Sequence, residues 1–139
     1  DMMGVRVDGA ALIGGDSVFL GAVARPDLEQ GRGGADELAR TLHRTLRARV
    51  LDLPETTLLL PGHYQGGRVD GPLARPLGAV WAGLPELVLD EDAFVAQVVA
   101  GLPAPPANHA AIIDVNLGAA VAPDVAARLE VCANACAAR

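Results

Sequence analysis

The run Thr56–Leu60 is short, uncharged and nearly all apolar, and it stops abruptly at Pro61-Gly62-His63. A strand of that composition has no polar side to turn toward water, so it predicts burial on both faces. That demand places the strand inside a layered α/β structure. A helix is predicted just before it, from Asp36 to Leu51, because Leu38, Leu42, Leu46 and Val50 recur at every fourth position and make one apolar stripe. Asp36 and Glu37 lie near the positive end of that helix, and Arg44, Arg47 and Arg49 lie toward its negative end, as the helix dipole favours.

The remaining segments arrange themselves around this unit. Gly4–Val7 and Ala10–Ile13 read as strands joined by Asp8-Gly9, a dipeptide suited to a two-residue hairpin turn. The second strand runs into Gly14-Gly15-Asp16, and Val18-Phe19-Leu20 leads into a long loop from Gly21 to Gly34. Tyr64–Leu84 is rich in Gly and Pro and reads as loop, with one helical turn near Val80. Asp90 suits the N-cap of a helix to about Ala100 that buries Phe94, Val95, Val98 and Val99. A short helix is expected over Ala107–Leu117, and another from Asp124 onward. The order is hairpin, long loop, helix, strand, then C-terminal helices.

Composition excludes several classes. The chain has 139 residues and a formal net charge of −6, with every basic residue an Arg scattered among acids. Nucleic-acid binding needs clustered cations, so that partner is not expected. The longest stretch without a charge, Ala93–Ile113, holds Gly101, Pro103, Pro105, Pro106, Asn108 and His109. It does not make a membrane span of ~20 apolar residues. Two cysteines are too few for a disulfide framework, so a reducing cytoplasm is the expected compartment. The chain opens at Asp1, almost inside a strand, which fits either a processed chain or a piece of a longer one.

Ligands of layered α/β proteins gather where strands end and loops begin, which singles out the two strand tips. Asp16 is suited to be a hard oxygen ligand able to bridge two metals; alternatively it is a turn aspartate bonded to its own backbone. His63, projected by the Gly62 turn, is suited to metal ligation or acid–base work; alternatively it is a surface or packing histidine. Arg25, before Pro26, is either an anchor for its loop or for an anionic substrate group, or a surface partner of Asp27 or Glu29. His43 reads as a half-exposed helix histidine, His109 as a helix-start residue, and Trp81 and Phe94 as core anchors. Cys132 and Cys136 would share a helix face, as half a metal site or as free thiols.

Taken in order, these segments resemble one family. Gly14-Gly15-Asp16-Ser17-Val18-Phe19-Leu20 followed by Val23-Ala24-Arg25-Pro26-Asp27-Leu28 is similar to the "TGD-x-LF … GRPDL" segment of metallo-β-lactamase-fold hydrolases, in their glyoxalase II-like and persulfide dioxygenase-like branch. Leu58–His63 is similar to that family's strand ending in "PGH", and Leu102-Pro103 through Asn116-Leu117-Gly118 to its "LP-x-P … NLG" tail. The resemblance covers most of the chain, to about Gly118. It implies that Asp16 is the aspartate metal ligand, His63 the last histidine ligand of dinuclear members, and Arg25 the arginine of the loop near the active site. The family glycine before that arginine is Ala24 here.

The family's His-x-His-x-Asp-His cluster precedes these motifs and is not in the chain. The resemblance therefore implies that residues 1–139 are the C-terminal part, the second half, of an αββα sandwich whose N-terminal half is missing. Such a half exposes apolar strand edges and a sheet face. The implied activity is a metal-dependent hydrolase with one or two Zn ions, acting on a small thioester-like or related sulfur substrate. An alternative within the family is a mononuclear Fe(II) persulfide dioxygenase, with His63 outside the metal's own ligands. A third reading is a non-catalytic half-fold that pairs with another chain or forms a homodimer.

Overall fold

The computed structural model describes residues 3–64 and 71–129. Four strands form one sheet in chain order: β1 (Val5–Val7), β2 (Ala11–Gly15), β3 (Leu58–Pro61) and β4 (Arg75–Pro76). β1 and β2 are the expected antiparallel hairpin, with Val5 opposite Ile13 and Val7 opposite Ala11. Its turn takes positive φ at both Asp8 (48°) and Gly9 (70°), and the Ala10 N–H donates to the Val7 carbonyl at 2.9 Å. Two left-handed residues give the turn the same sense of twist as the strands it joins.

β2 and β3 are parallel, with Leu12 opposite Leu59. The connection between them carries α1 (Ala35–Leu46), which passes into a single π-helical turn at Arg47–Leu51. α1 packs against α3 (Glu91–Ala100), whose first turn is capped by the Asp90 carboxylate accepting from the Ala93 N–H at 2.9 Å. Between the helices and the sheet lies one apolar core of Leu12, Leu59, Leu42, Leu46, Phe94 and Val98. Phe94 is the core anchor expected of it, while Trp81 is only partly buried against the cluster.

The sheet has two unlike faces. Leu12 and Leu59 point into the core, but Val5, Val7, Ile13 and Leu58 are between 43% and 50% exposed. The register puts these four on one surface. The expectation that Thr56–Leu60 is buried on both sides is therefore corrected: Leu59 is fully buried and Leu58 is not. A double-faced apolar strand reports that two covers are wanted, and here helices supply one of them.

Other expectations shift by a turn. Ala35, Ala39 and His43 join Leu42, Leu46 and Val50 on the buried side of α1, while Leu38 is only half-buried. His43 is thus buried at 7% exposure, with its ring 5.0 Å from that of Phe94. β4 was not expected in a Gly/Pro-rich stretch; its two residues pair with Leu58 and Leu59 just before α2 (Leu77–Ala82). α4 (His109–Asn116) and α5 (Pro123–Leu129) pack on each other and bury no residue fully. His109 lies at the start of α4, its Nδ1 2.7 Å from the Pro106 carbonyl. Cys132 and Cys136 lie outside the described residues.

Candidate metal-ligand site at two strand ends

Parallel pairing puts the C-terminal ends of β2 and β3 side by side, with Gly15 opposite Pro61. The residues that follow are Asp16 and Gly62-His63, so two motifs 47 positions apart meet at one edge of the sheet. The Gly62 N–H donates to the Gly15 carbonyl at 2.8 Å, which extends the ladder past the strand ends. His63 Nδ1 then lies 2.6 Å from Asp16 Oδ1.

Two glycines make this approach feasible. Gly15 has φ of 54°, a left-handed backbone, and a Cβ there would sit 2.6 Å from the Met3 carbonyl oxygen. A Cβ at Gly62 would come within 2.8 Å of Asp16 Oδ1 and 3.0 Å of the Gly15 carbonyl. Both positions therefore need the smallest residue, one for backbone sense and one for space. The Asp16 and His63 side chains are 43% and 45% exposed. Neither makes another hydrogen bond among the described residues, so Asp16 Oδ2 and His63 Nε2 have no partner there. The turn itself is closed by Ser17, whose Oγ donates to the Gly14 carbonyl at 2.6 Å, not by Asp16.

Arg25 is placed differently. Its guanidinium donates to both carboxylate oxygens of Asp27, at 2.8 and 2.9 Å, and both side chains are 1% exposed. It also donates to the carbonyls of Pro103 at 2.7 Å and Ala104 at 3.4 Å. Arg32 adds a bond to the Leu102 carbonyl at 2.9 Å. The Arg25 guanidinium, bonded to its carboxylate, holds Asp27 below the ordinary carboxylate range despite burial. Arg25 is thus a buried partner of Asp27, and it ties its loop to the segment before α4. The segment between Asp16 and Arg25 is itself closed: Ala24 N–H donates to the Ser17 carbonyl at 3.1 Å, and Phe19 N–H to the Ala22 carbonyl at 2.8 Å.

Sequence reasoning missed one cavity of about 660 Å³ between α1 and the β1–β2 hairpin, lined among others by Arg6, Leu12, Leu42 and Arg49. Neither Asp16 nor His63 lines it. Its lining includes Gly14 and Ser17 of the strand-end motif and Arg25 and Pro26 of the loop motif, but the α1 residues that close it, Thr41 and Thr45 among them, belong to no motif.

No family model and no curated protein matches the chain. Among solved structures it is similar to a metallo-β-lactamase from Staphylococcus aureus, at 26% identity and a TM-score of 0.66. The match covers 76% of this chain and 31% of that one, so the chain spans under a third of the neighbour's length. The mixed α/β fold, with its four-stranded sheet and helices, matches part of a metallo-β-lactamase fold.

A zinc that activates water takes about three protein ligands and one open position. Asp16 and His63 offer suitable oxygen and nitrogen donors. Among the described residues no group of three His, Cys, Asp or Glu side chains could hold a metal ion. The described residues alone therefore do not fit a complete catalytic zinc site. No helix among the described residues is long and apolar enough to cross a membrane.

Proposed function

We propose that this chain is the C-terminal part of a metallo-β-lactamase-fold hydrolase, contributing Asp16 and His63 to a metal site whose other ligands lie on an N-terminal half. The observation that carries this reading is the 2.6 Å approach of Asp16 and His63 at the ends of adjacent parallel strands, on side chains nearly half exposed and without another hydrogen bond among the described residues. Strand ends are where ligands bind in layered α/β folds. The exposed apolar surface of Val5, Val7, Ile13 and Leu58 supports the same reading, because a second sheet packed there would complete a sandwich.

When bound in such hydrolases, zinc lowers the pKa of a water molecule and so supplies a nucleophile at neutral pH. The part assigned to this chain is to hold ligands: a carboxylate and an imidazole, kept in register by Gly15 and Gly62. The substrate is a small thioester-like or related sulfur compound, and the compartment is the cytoplasm. The 2.6 Å contact also suits a second reading. There Asp16 is the carboxylate of a two-histidine iron site for persulfide oxidation, and His63 steadies it from outside.

The test is to read the coding sequence upstream of Asp1 and to purify the polypeptide that contains both parts. A His-x-His-x-Asp-His cluster and one or two zinc ions per polypeptide, lost in Asp16→Ala, are expected. Stoichiometric iron with oxygen consumption would replace the hydrolase by the dioxygenase. Absence of the cluster would sink both and leave a half-fold that pairs through its exposed sheet face.

A further inference from the structure

The geometry points to Arg25 as a positioning residue for Asp16, acting through the Ser17–Ala24 rung rather than on any ligand directly. This rests on the reading of Asp16 and His63 as the functional pair. Three observations carry it. First, Arg25 is held from two parts of the chain at once. Its guanidinium bonds two oxygens of Asp27 and the carbonyls of Pro103 and Ala104, with the ion pair out of solvent. A planar guanidinium can satisfy all of these at once, whereas a lysine ammonium lacks the fork.

Second, the segment between Arg25 and Asp16 is short and closed on itself. Ala24, the neighbour of Arg25, donates to the carbonyl of Ser17, the neighbour of Asp16, at 3.1 Å. Inside that rung Val18 and Val23 pair, and both are fully or almost fully buried. A displacement of Arg25 therefore moves Ser17, with little slack to absorb it. Third, Asp16 lacks any local restraint of its own. Its carboxylate bonds no backbone group among the described residues and reaches only His63. The position of its Cα is set by β2 on one side and by this rung on the other.

The same clamp links the site to the segment that leads into α4, because Pro103 and Ala104 are its far anchor. Arg25 thus joins two parts of the chain 78 residues apart.

The experiment uses the chain itself, comparing wild type, Arg25→Lys and the double variant Arg25→Met/Asp27→Leu. The double variant replaces the buried pair by apolar groups, a change that commonly preserves folding. Two readouts are followed by NMR: the His63 ring nitrogens and the exchange rate of the Ala24 amide. Asp16→Ala, which removes the acceptor, gives the reference spectrum for a broken Asp16–His63 contact. In both variants the His63 Nδ1 signal should move toward that reference, and Ala24 exchange should rise at least tenfold. Core amides of α1 and α3 should keep their protection. An unchanged His63 signal and unchanged Ala24 exchange would overturn the proposal. So would loss of core protection in both variants, since that outcome assigns the pair to global stability alone. Zinc titration of the polypeptide that carries both halves, wild type against Asp16→Ala, is scored separately: equal binding counts against Asp16 as a ligand, whatever the clamp variants show.

Discussion

Two of the chain's close carboxylate–nitrogen pairs, Arg25 with Asp27 and Asp16 with His63, are built to opposite specifications. Arg25 and Asp27 are 1% exposed, bonded through both carboxylate oxygens, and backed by two carbonyls. Asp16 and His63 are nearly half exposed, share one contact, and leave an atom each unengaged. A buried pair must satisfy its own hydrogen bonds, since none can be left to water. An exposed pair carries no such obligation and is free to exchange its contact for a ligand. The difference suits the first to a scaffold and the second to the site proposed above.

That contrast breaks most visibly at Arg25. Arg25→Met leaves the Asp27 carboxylate buried without its cation, and removing one partner of a buried pair costs roughly 3–5 kcal/mol. Denaturant unfolding should show a loss of that size, and the double variant with Asp27→Leu should recover most of it. If Arg25→Met costs under about 1 kcal/mol, the pair is not the scaffold element described.

Gly62→Ala tests the site side of the comparison sterically. Its Cβ would sit 2.8 Å from Asp16 Oδ1, so that carboxylate must shift, and 3.0 Å from the Gly15 carbonyl, at the tight limit of real contacts. Overpacking of this sort costs roughly 1–3 kcal/mol, and the Asp16–His63 contact should be lost with it. Retention of the His63 ring signal in Gly62→Ala would show that the strand ends have more room than the geometry allows.

Acid separates the two pairs more gently. Asp27 is held below its ordinary value of 3.8 by its bond to Arg25. A depressed folded-state pKa contributes stability that is fully present above the unfolded value and is lost as pH falls through the folded one. Unfolding followed below about pH 4 should therefore steepen with acid, and Asp27→Asn should flatten the profile. Glu91, bonded to Arg44 and Arg40 and held at about 2, contributes to the same acid slope from the surface. The informative quantity is thus the difference between wild type and Asp27→Asn. Equal slopes would mean that Asp27 does not gain its stability from Arg25.

How much of this was legible beforehand depends on how local each cause is. The strand-end placement of Asp16 and His63 was legible because Gly and Pro punctuation at a strand end is written in adjacent residues. The hairpin and the Asp90 cap were legible for the same reason. The burial of Arg25 was not, because two of its acceptors lie at Pro103 and Ala104, far along the chain. His43 was misread as half-exposed because its cover comes from α3, where Phe94 meets its ring. Leu58 was misread as buried because periodicity records what a strand face prefers, and only the other layers decide whether it is covered.

Asp16→Ala sharpens the comparison from the exposed side. Surface pairs are worth about 0–1 kcal/mol, so this variant should unfold within about 1 kcal/mol of wild type, while Zn binding in the polypeptide that carries both halves is lost. A site residue that costs as much as Arg25 would erase the distinction between scaffold and site.

The smallest effect is expected on the outer sheet face. Ile13 is 43% exposed there and pairs with Val5 across the hairpin. Ile13→Thr keeps a β-branched side chain in the strand, so it should change the chain's own stability by less than about 0.5 kcal/mol. Yet if that face is the seat of a second sheet, the same substitution removes apolar surface from a buried interface. It should weaken association with a separately made N-terminal half, measured by titration, far more than it weakens the chain. A variant that lowers both equally would mean that the face already serves the chain's own fold, and that no second layer is needed to explain its apolar character.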